Sequence, residues 1–373
     1  MVYFSLKGKQ GGNGMVLMNG DRRVAMFSLD DVYIEILDED FLPLSIKDAI
    51  KTTTYDSPGQ LRESMRTIDK FKDFLSGRVL NIAREHAKEI LNSLSFSQSS
   101  KTSERIAIVL ACSGLSMTDN FWIKEDNDSR TFADVNLRNR RLGDAAFAIS
   151  ILGSSISATK EIMQPDVGTE GMFAKTWYRG ENKIELWKTD RTTACVNTEA
   201  EIEVSGILDH SNVAHVRYEG FKKDGKLIAR CELLAGDEKS VINGYEVRDW
   251  CENHGLHFID WLESNYKEDF AKMCVIDYVI ANTDRHLGNI HFWVDNLTNR
   301  IVGLTPLFDH NQALLADRFG TNVDDLIYDA TGDTMLETAI KHWKSANLVI
   351  DEAYLPDLCK ERLEKVRLRA GET

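Results

Sequence analysis

The sequence predicts an α+β fold in two main parts, a β-rich one followed by a helical one, with a smaller α+β unit in front of both. Three observations carry this reading. Two-residue hairpin signals punctuate the earlier parts: Asn19-Gly20 between the apolar runs 15–18 and 24–27, and Asp224-Gly225 between 213–218 and 227–234. From about residue 165 short strand-like runs follow one another. Residues 258–280 then place Ile259, Leu262, Tyr266, Phe270, Met273, Ile276 and Ile280 in steps of three or four, one face of a long helix.

At 373 residues the chain has room for two or three compact units. Residues 1–104 read as an accessory α+β unit. It holds the first hairpin, a further strand at 32–37, and two helical segments at 59–71 and 74–94. A Ser/Thr-rich linker at 95–104 closes it. Residues 105–238 form the second unit and 239–373 the third, which ends in helices at 333–347 and 356–369, the last opened by Pro356. No apolar run reaches the roughly 20 residues of a membrane span, and the N-terminus has no basic segment followed by an apolar core. Six scattered cysteines, Cys195 among them, form no C-x-x-C pair and read as reduced thiols of a cytoplasmic protein. The net charge of −14 argues against broad nucleic-acid binding. The basic clusters Arg138-Asn139-Arg140-Arg141 and 360–369 read as solvated helix faces.

Within the β-rich part, Gly168 and Gly171 flank Thr169 in a short loop read as lying between strands, where backbone amides could approach phosphates. Lys188 shares a strand face with Ile184 and Leu186, at the end of a buried stripe, so its charge calls for an anion. Lys175 is its rival, placed before the turn and alternating with Phe173 and Trp177. The next helix opens on Thr198-Glu199-Ala200-Glu201, a capping-box pattern that accounts for Glu201 and leaves Glu203 as the preferred partner of Lys188.

The chemistry concentrates at 282–310. The long helix runs into Asn282-Thr283-Asp284-Arg285-His286-Leu287-Gly288-Asn289. A hairpin over 290–304 then returns the chain to Thr305-Pro306-Leu307-Phe308-Asp309. One carboxylate and one amide five residues apart, met by a second carboxylate, suit phosphoryl transfer. Asp284 would position a hydroxyl and take its proton, while Asn289 and Asp309 would hold Mg²⁺ against ATP phosphates. The wording of these two segments resembles the C-terminal domain of HipA-like serine/threonine kinases, and Asp-Arg-His-x-Gly-Asn is shared with phosphatidylinositol-type lipid kinases. Gly114 to Lys124 and Glu203 to Leu208 also resemble HipA-like sequences.

The resemblance covers roughly 105–330 and implies a bilobal protein-kinase-like fold. It further implies a bacterial or phage-encoded serine/threonine kinase using ATP and Mg²⁺ on a protein substrate, in a toxin–antitoxin setting with an antitoxin-like protein partner. Lys188, braced by Glu203, would hold the α- and β-phosphates, and Glu232 to Leu234 would be the hinge that meets adenine. Autophosphorylation near the glycine loop has Ser154, Ser155, Ser157 and Thr169 available. Three rivals stay open: a lipid or small-molecule kinase, a nucleotide-binding pseudokinase, and a metal hydrolase using His286, His291 and His310 with the aspartates.

Overall fold

The computed structural model describes residues 14–31, 33–54, 57–140, 142–169, 171–181, 183–190 and 196–371. Arg141, Glu170, Asn182 and Cys195 lie outside the described residues.

The chain opens with strands β1 (Met15–Asn19), β2 (Arg22–Ser28) and β3 (Tyr33–Ile36). Gly20, at φ +57°, makes the expected tight turn between the first two. Helix α1 (Pro58–Gly77) runs through the expected break at 72–73, and the second expected segment is helical only at its ends, since residues 78–86 are not helical. Ser57 caps α1 through the Gln60 amide, and Pro58 sits in the first turn, where a missing N–H costs nothing. Helices α2 (Ala87–Ser93) and α3 (Thr102–Ala111) follow, then β4 (Phe121–Glu125). Thus α3 begins inside the expected linker. Strand β4 pairs antiparallel with β1, giving the sheet order β3-β2-β1-β4. The core under this sheet draws Phe27, Phe71 and Leu75 together with Ile108, Val109 and Ile123, so apolar side chains on both sides of residue 104 share one interior.

Helices α4 (Phe132–Val135), α5 (Asp144–Ser150) and α6 (Lys160–Val167) lead to the second sheet. Its strands are β5 (Ala174–Arg179), β6 (Ile184–Thr189), β7 (Glu219–Lys223) and β8 (Lys226–Glu232), in the order β5-β6-β8-β7, with α7 (Val196–Leu208) packed on it. Two expectations need correction. The glycine pair follows helix α6, not a strand. Residues 213–218 are not the partner of β8: the turn at Asp224 and Gly225, both at positive φ, fixes Lys223 opposite Lys226, so pairing ends at Glu219 opposite Arg230. The 214–216 stretch instead exchanges backbone hydrogen bonds with Leu307, Val216 N–H to its carbonyl and Leu307 N–H to the carbonyl of Ala214.

After the second sheet come β9 (Lys239–Asn243), a strand the sequence reading missed, and α8 (Gly244–Asn253). The long helix is broken at Tyr266 into α9 (Phe258–Asn265) and α10 (Lys267–Val279). Strands β10 (His291–Asp295) and β11 (Arg300–Leu304) form the expected hairpin, and β10 also pairs with β9. Helices α11 (Leu315–Arg318), α12 (Met335–Ala346) and α13 (Asp357–Arg369) complete the chain. Helix α10 is buried on every side from Met273 to Val279, the axis of the largest core.

Both basic clusters prove partly internal. Arg138 is buried and donates to Asn120 Oδ1 and the Met117 carbonyl. Arg362 is buried and grips Asp317 through two bonds of 2.7 and 2.8 Å.

Candidate active site

Helix α10 ends where Ala281 adopts a left-handed φ of +52°. The loop that follows is held from beneath by one arginine. Arg285 is buried; its Nε donates to Asp277 Oδ2 at 2.8 Å and its Nη2 to Asp277 Oδ1 at 3.1 Å. Its Nη1 reaches two backbone carbonyls, Asn289 at 2.7 Å and Phe308 at 2.8 Å. Asp277 also accepts from Asn282 and from the Tyr328 hydroxyl. One buried ion pair therefore fixes the loop carrying Asp284 and Asn289 relative to the segment carrying Asp309. Sequence reading passed over Arg285 because a lone arginine in a polar stretch looks like a solvated charge.

Asn289 donates from Nδ2 to the carbonyl of Asp284 at 2.9 Å, which turns its amide oxygen the other way. Asp309 sits at φ +58°, a left-handed turn that aspartate tolerates, and directs its carboxylate at Lys188. Asp284 is half-buried. Burial raises its pKa above the 3.8 of an ordinary aspartate, with His286 opposing and Asp309 adding to the rise. At Asp309 burial works the same way, but Lys188 and Lys175 outweigh it and hold the carboxyl well below the usual range. The two carboxylates are pushed in opposite directions.

Lys188 donates to Glu201 Oε1 at 2.7 Å and to Asp309 Oδ1 at 2.9 Å, with the Tyr218 ring centroid 4.7 Å away. Its partner is Glu201, not Glu203. Helix α7 starts at Val196, two residues before the expected cap. Asp190, at the end of β6, accepts from the amides of Asn197 and Thr198 and from the Thr198 hydroxyl. With the cap supplied from outside the helix, Glu201 turns inward and is 2 % exposed, while Glu203 is 47 % exposed and faces Arg318.

The glycine loop is less free than its composition suggests. The Thr169 hydroxyl donates to the Pro165 carbonyl and accepts from Trp177 Nε1. A Cβ on Gly168 would lie 2.9 Å from the Leu115 carbonyl oxygen, so close backbone packing requires that glycine. Gly171, at φ +96°, lies against the ammonium of Lys175. The first unit grips this loop: Arg84, buried, donates to the carbonyls of Asp166, Thr169 and Lys175, and Leu80 N–H bonds the Val167 carbonyl.

Gly168, Gly171, Lys188, Asp284, Asn289 and Asp309 line one cleft of about 1040 Å³, beside Glu232, Leu233 and Leu234 at the end of β8. The cleft continues past Ser116, Thr118 and Asp119 to Asp73 and Phe74 of α1 and to Glu246 and Asp249 of α8. The stretch from Ser116 to Asp119, for which the sequence offered no physical role, is thus a wall of the cleft; Asp119 binds Arg78 at 2.9 and 3.0 Å, and the Thr118 carbonyl accepts from Val241 of β9.

The histidines do not converge. His286 accepts from the Gly288 amide, bracing the loop, and His310 is buried. His291 bonds the Gly288 carbonyl instead of pointing to solvent, and burial lowers its pKa to about 4. Among the described residues no group of three His, Cys, Asp or Glu side chains is placed to hold a metal, so the hydrolase reading finds no ligand set. One ionised carboxylate and one amide oxygen do fit a hard cation that takes its remaining ligands from phosphates and water.

Residues 211–318 match the family model for phosphatidylinositol 3- and 4-kinase. Over 96% of this chain and 90% of the other, the structure is similar to that of the Shewanella oneidensis MR-1 toxin–antitoxin system HipA, HipB and operator DNA complex, at 12% identity and a TM-score of 0.52. The Helicobacter pylori proinflammatory kinase CtkA is similar over 56% of this chain and 91% of its own, at 13% identity and a TM-score of 0.39. No curated protein matches. The fold is protein-kinase-like. In its terms β5 to β8 with α7 form the smaller lobe, and α8 to α13 with the β9–β11 sheet form the larger.

Proposed function

We propose that the protein is an ATP-dependent kinase that phosphorylates a serine or threonine hydroxyl of another protein. The observation that carries this is the joining of four groups, Lys188, Asp284, Asn289 and Asp309, in one cleft. Lys188 bonds Asp309 and, behind it, Glu201, and Asn289 is tied to the backbone of Asp284. Asp284 orients the acceptor hydroxyl and takes its proton as the oxygen attacks the γ-phosphorus, while the bond from phosphorus to the β,γ-bridging oxygen breaks and ADP leaves. Lys188, braced by Glu201, holds the α- and β-phosphates. Asn289 and Asp309 would hold Mg²⁺, which neutralises charge developing on the phosphates. The backbone at Gly168, Thr169 and Gly171 covers the phosphates, and Glu232 to Leu234 meet the adenine.

The similar HipA structure contains HipB, and we extend to this chain an antitoxin-like protein partner. A cytoplasmic setting fits the five described cysteines, all free and buried. Phosphorylation of a lipid headgroup is the second reading, favoured by the phosphatidylinositol-kinase family match.

The test is incubation with Mg²⁺ and γ-labelled ATP, with host lysate or phosphoinositide vesicles, beside Asp284→Asn. Label on protein that disappears in folded Asp284→Asn supports the reading. Label on lipid alone moves the assignment to the second. Label that persists in Asp284→Asn removes Asp284 from the reaction.

A further inference from the structure

The register of β5 and β6 places Lys175 directly opposite Lys188, so two ammonium groups emerge on one face of the sheet and line one cleft. Like charges facing each other across a strand pair repel. Their surroundings differ sharply. Lys188 is engaged by Glu201 and Asp309 at hydrogen-bond distance. Lys175 is 8 % exposed, yet among the described residues its ammonium has no hydrogen bond or ion pair. It folds over Gly171, where even a Cβ would come within 2.2 Å of its nitrogen. Lys175 lines the cleft, so an ammonium largely withdrawn from bulk water and with no anion in contact stays open to one that a ligand brings there.

The two ammonium groups also have different neighbours. Lys188 lies on Glu201 and Asp309. Lys175 lies against Gly171, in the glycine stretch that precedes β5. The strand itself is held in place, because Arg84 bonds the Lys175 carbonyl.

We infer that Lys175 is a second phosphate-binding cation of the cleft, contacting the terminal phosphate of a nucleoside triphosphate. Resting on the kinase reading above, this divides the work between the two lysines. Lys188, already neutralised by carboxylates, sets the inner phosphates, and Lys175 tells a triphosphate from a diphosphate. Gly171 is then required because any side chain there would displace the ammonium.

The test is calorimetric titration of the full chain with ATP, ADP and adenosine in Mg²⁺, comparing wild type, Lys175→Met and Lys188→Met, with melting curves for each. Lys175→Met should weaken ATP binding roughly 10- to 100-fold, the loss of one charge-assisted contact. Adenosine and ADP binding should stay near wild type, so the preference for ATP over ADP collapses. Without nucleotide its Tm should equal or exceed that of wild type, since an unpaired buried charge is gone. Lys188→Met should weaken ATP and ADP alike. A wild-type ATP/ADP ratio in folded Lys175→Met overturns the assignment, as does a Tm well below wild type with ATP and ADP weakened equally, which marks a structural lysine. Wild-type protein that binds none of the three ligands removes the kinase reading and this inference together.

Discussion

Glu201 and Glu203 are two positions apart on one helix, and only the inner one touches Lys188. Changing Glu201 to Gln leaves Lys188 facing a neutral partner and frees it to collapse onto Asp309; phosphate transfer should fall about 10- to 100-fold, in line with losing one charge-assisted bond. Changing Glu203 to Gln should leave the rate within about twofold of wild type, because its partner Arg318 is a surface group. Rates of the two purified variants decide the pair. Asp284 carries the pH dependence. A proton acceptor works only when ionised, and burial lifts its pKa above 3.8. Activity should therefore fall as pH is lowered, with the midpoint above the ordinary aspartate value rather than at it. Asp309 stays ionised throughout that window, so the acidic limb of kcat/KM against pH should reflect Asp284 together with Glu201, whose pKa burial also raises. Glu201 was misjudged from the sequence because its capping pattern was complete in itself. The competing cap, Asp190, is eight residues before Thr198 and only the folded chain brings it there.

At the scale of elements, the Asp277–Arg285 pair is what makes helix α10 and the Asp309 segment one body. Both side chains are fully buried, and breaking such a pair from one side leaves a bare charge in the core, at a cost of about 3–5 kcal/mol. Arg285→Met should lower the urea midpoint accordingly. Replacing both partners, as in Asp277→Leu with Arg285→Met, should recover part of that stability while activity stays low, since the carbonyls of Asn289 and Phe308 remain without their donor. Equilibrium denaturation of the single and double variants measures this. The hairpins around Gly20 and Asp224-Gly225 were legible because a tight turn announces itself in two residues. Helix α10 was legible in its apolar content, though its break at Tyr266 was not. Strand β9 was missed because Lys239–Asn243 is too short to alternate clearly, and its identity comes from pairing with β10.

Over the whole molecule, the arrangement of Asp284, Asn289 and Asp309 was readable because fixed spacing and a hairpin suffice to bring them together. The role of the first unit was not. Its contribution rests on Arg84, and a single buried arginine donating to three carbonyls leaves no pattern in a sequence. Arg84→Met should loosen the backbone at Asp166, Thr169 and Lys175, whose carbonyls it holds, and raise the KM for ATP several-fold with a smaller change in kcat. Faster amide exchange at those residues in the variant would accompany it. Stability unchanged in exchange, with KM at the wild-type value, would show the contact to be passive.

Arg84 has a consequence of another kind. Free-energy coupling runs equally in both directions. If nucleotide in the cleft steadies the loop, it also steadies the turn around residues 79–87, some way along the chain on the outer unit. Whatever grips that turn then senses whether the cleft is loaded, and in gripping it changes how readily the cleft loads. The N-terminal unit is in that sense a handle, by which an event on the surface and the occupancy of the interior become two readings of one equilibrium.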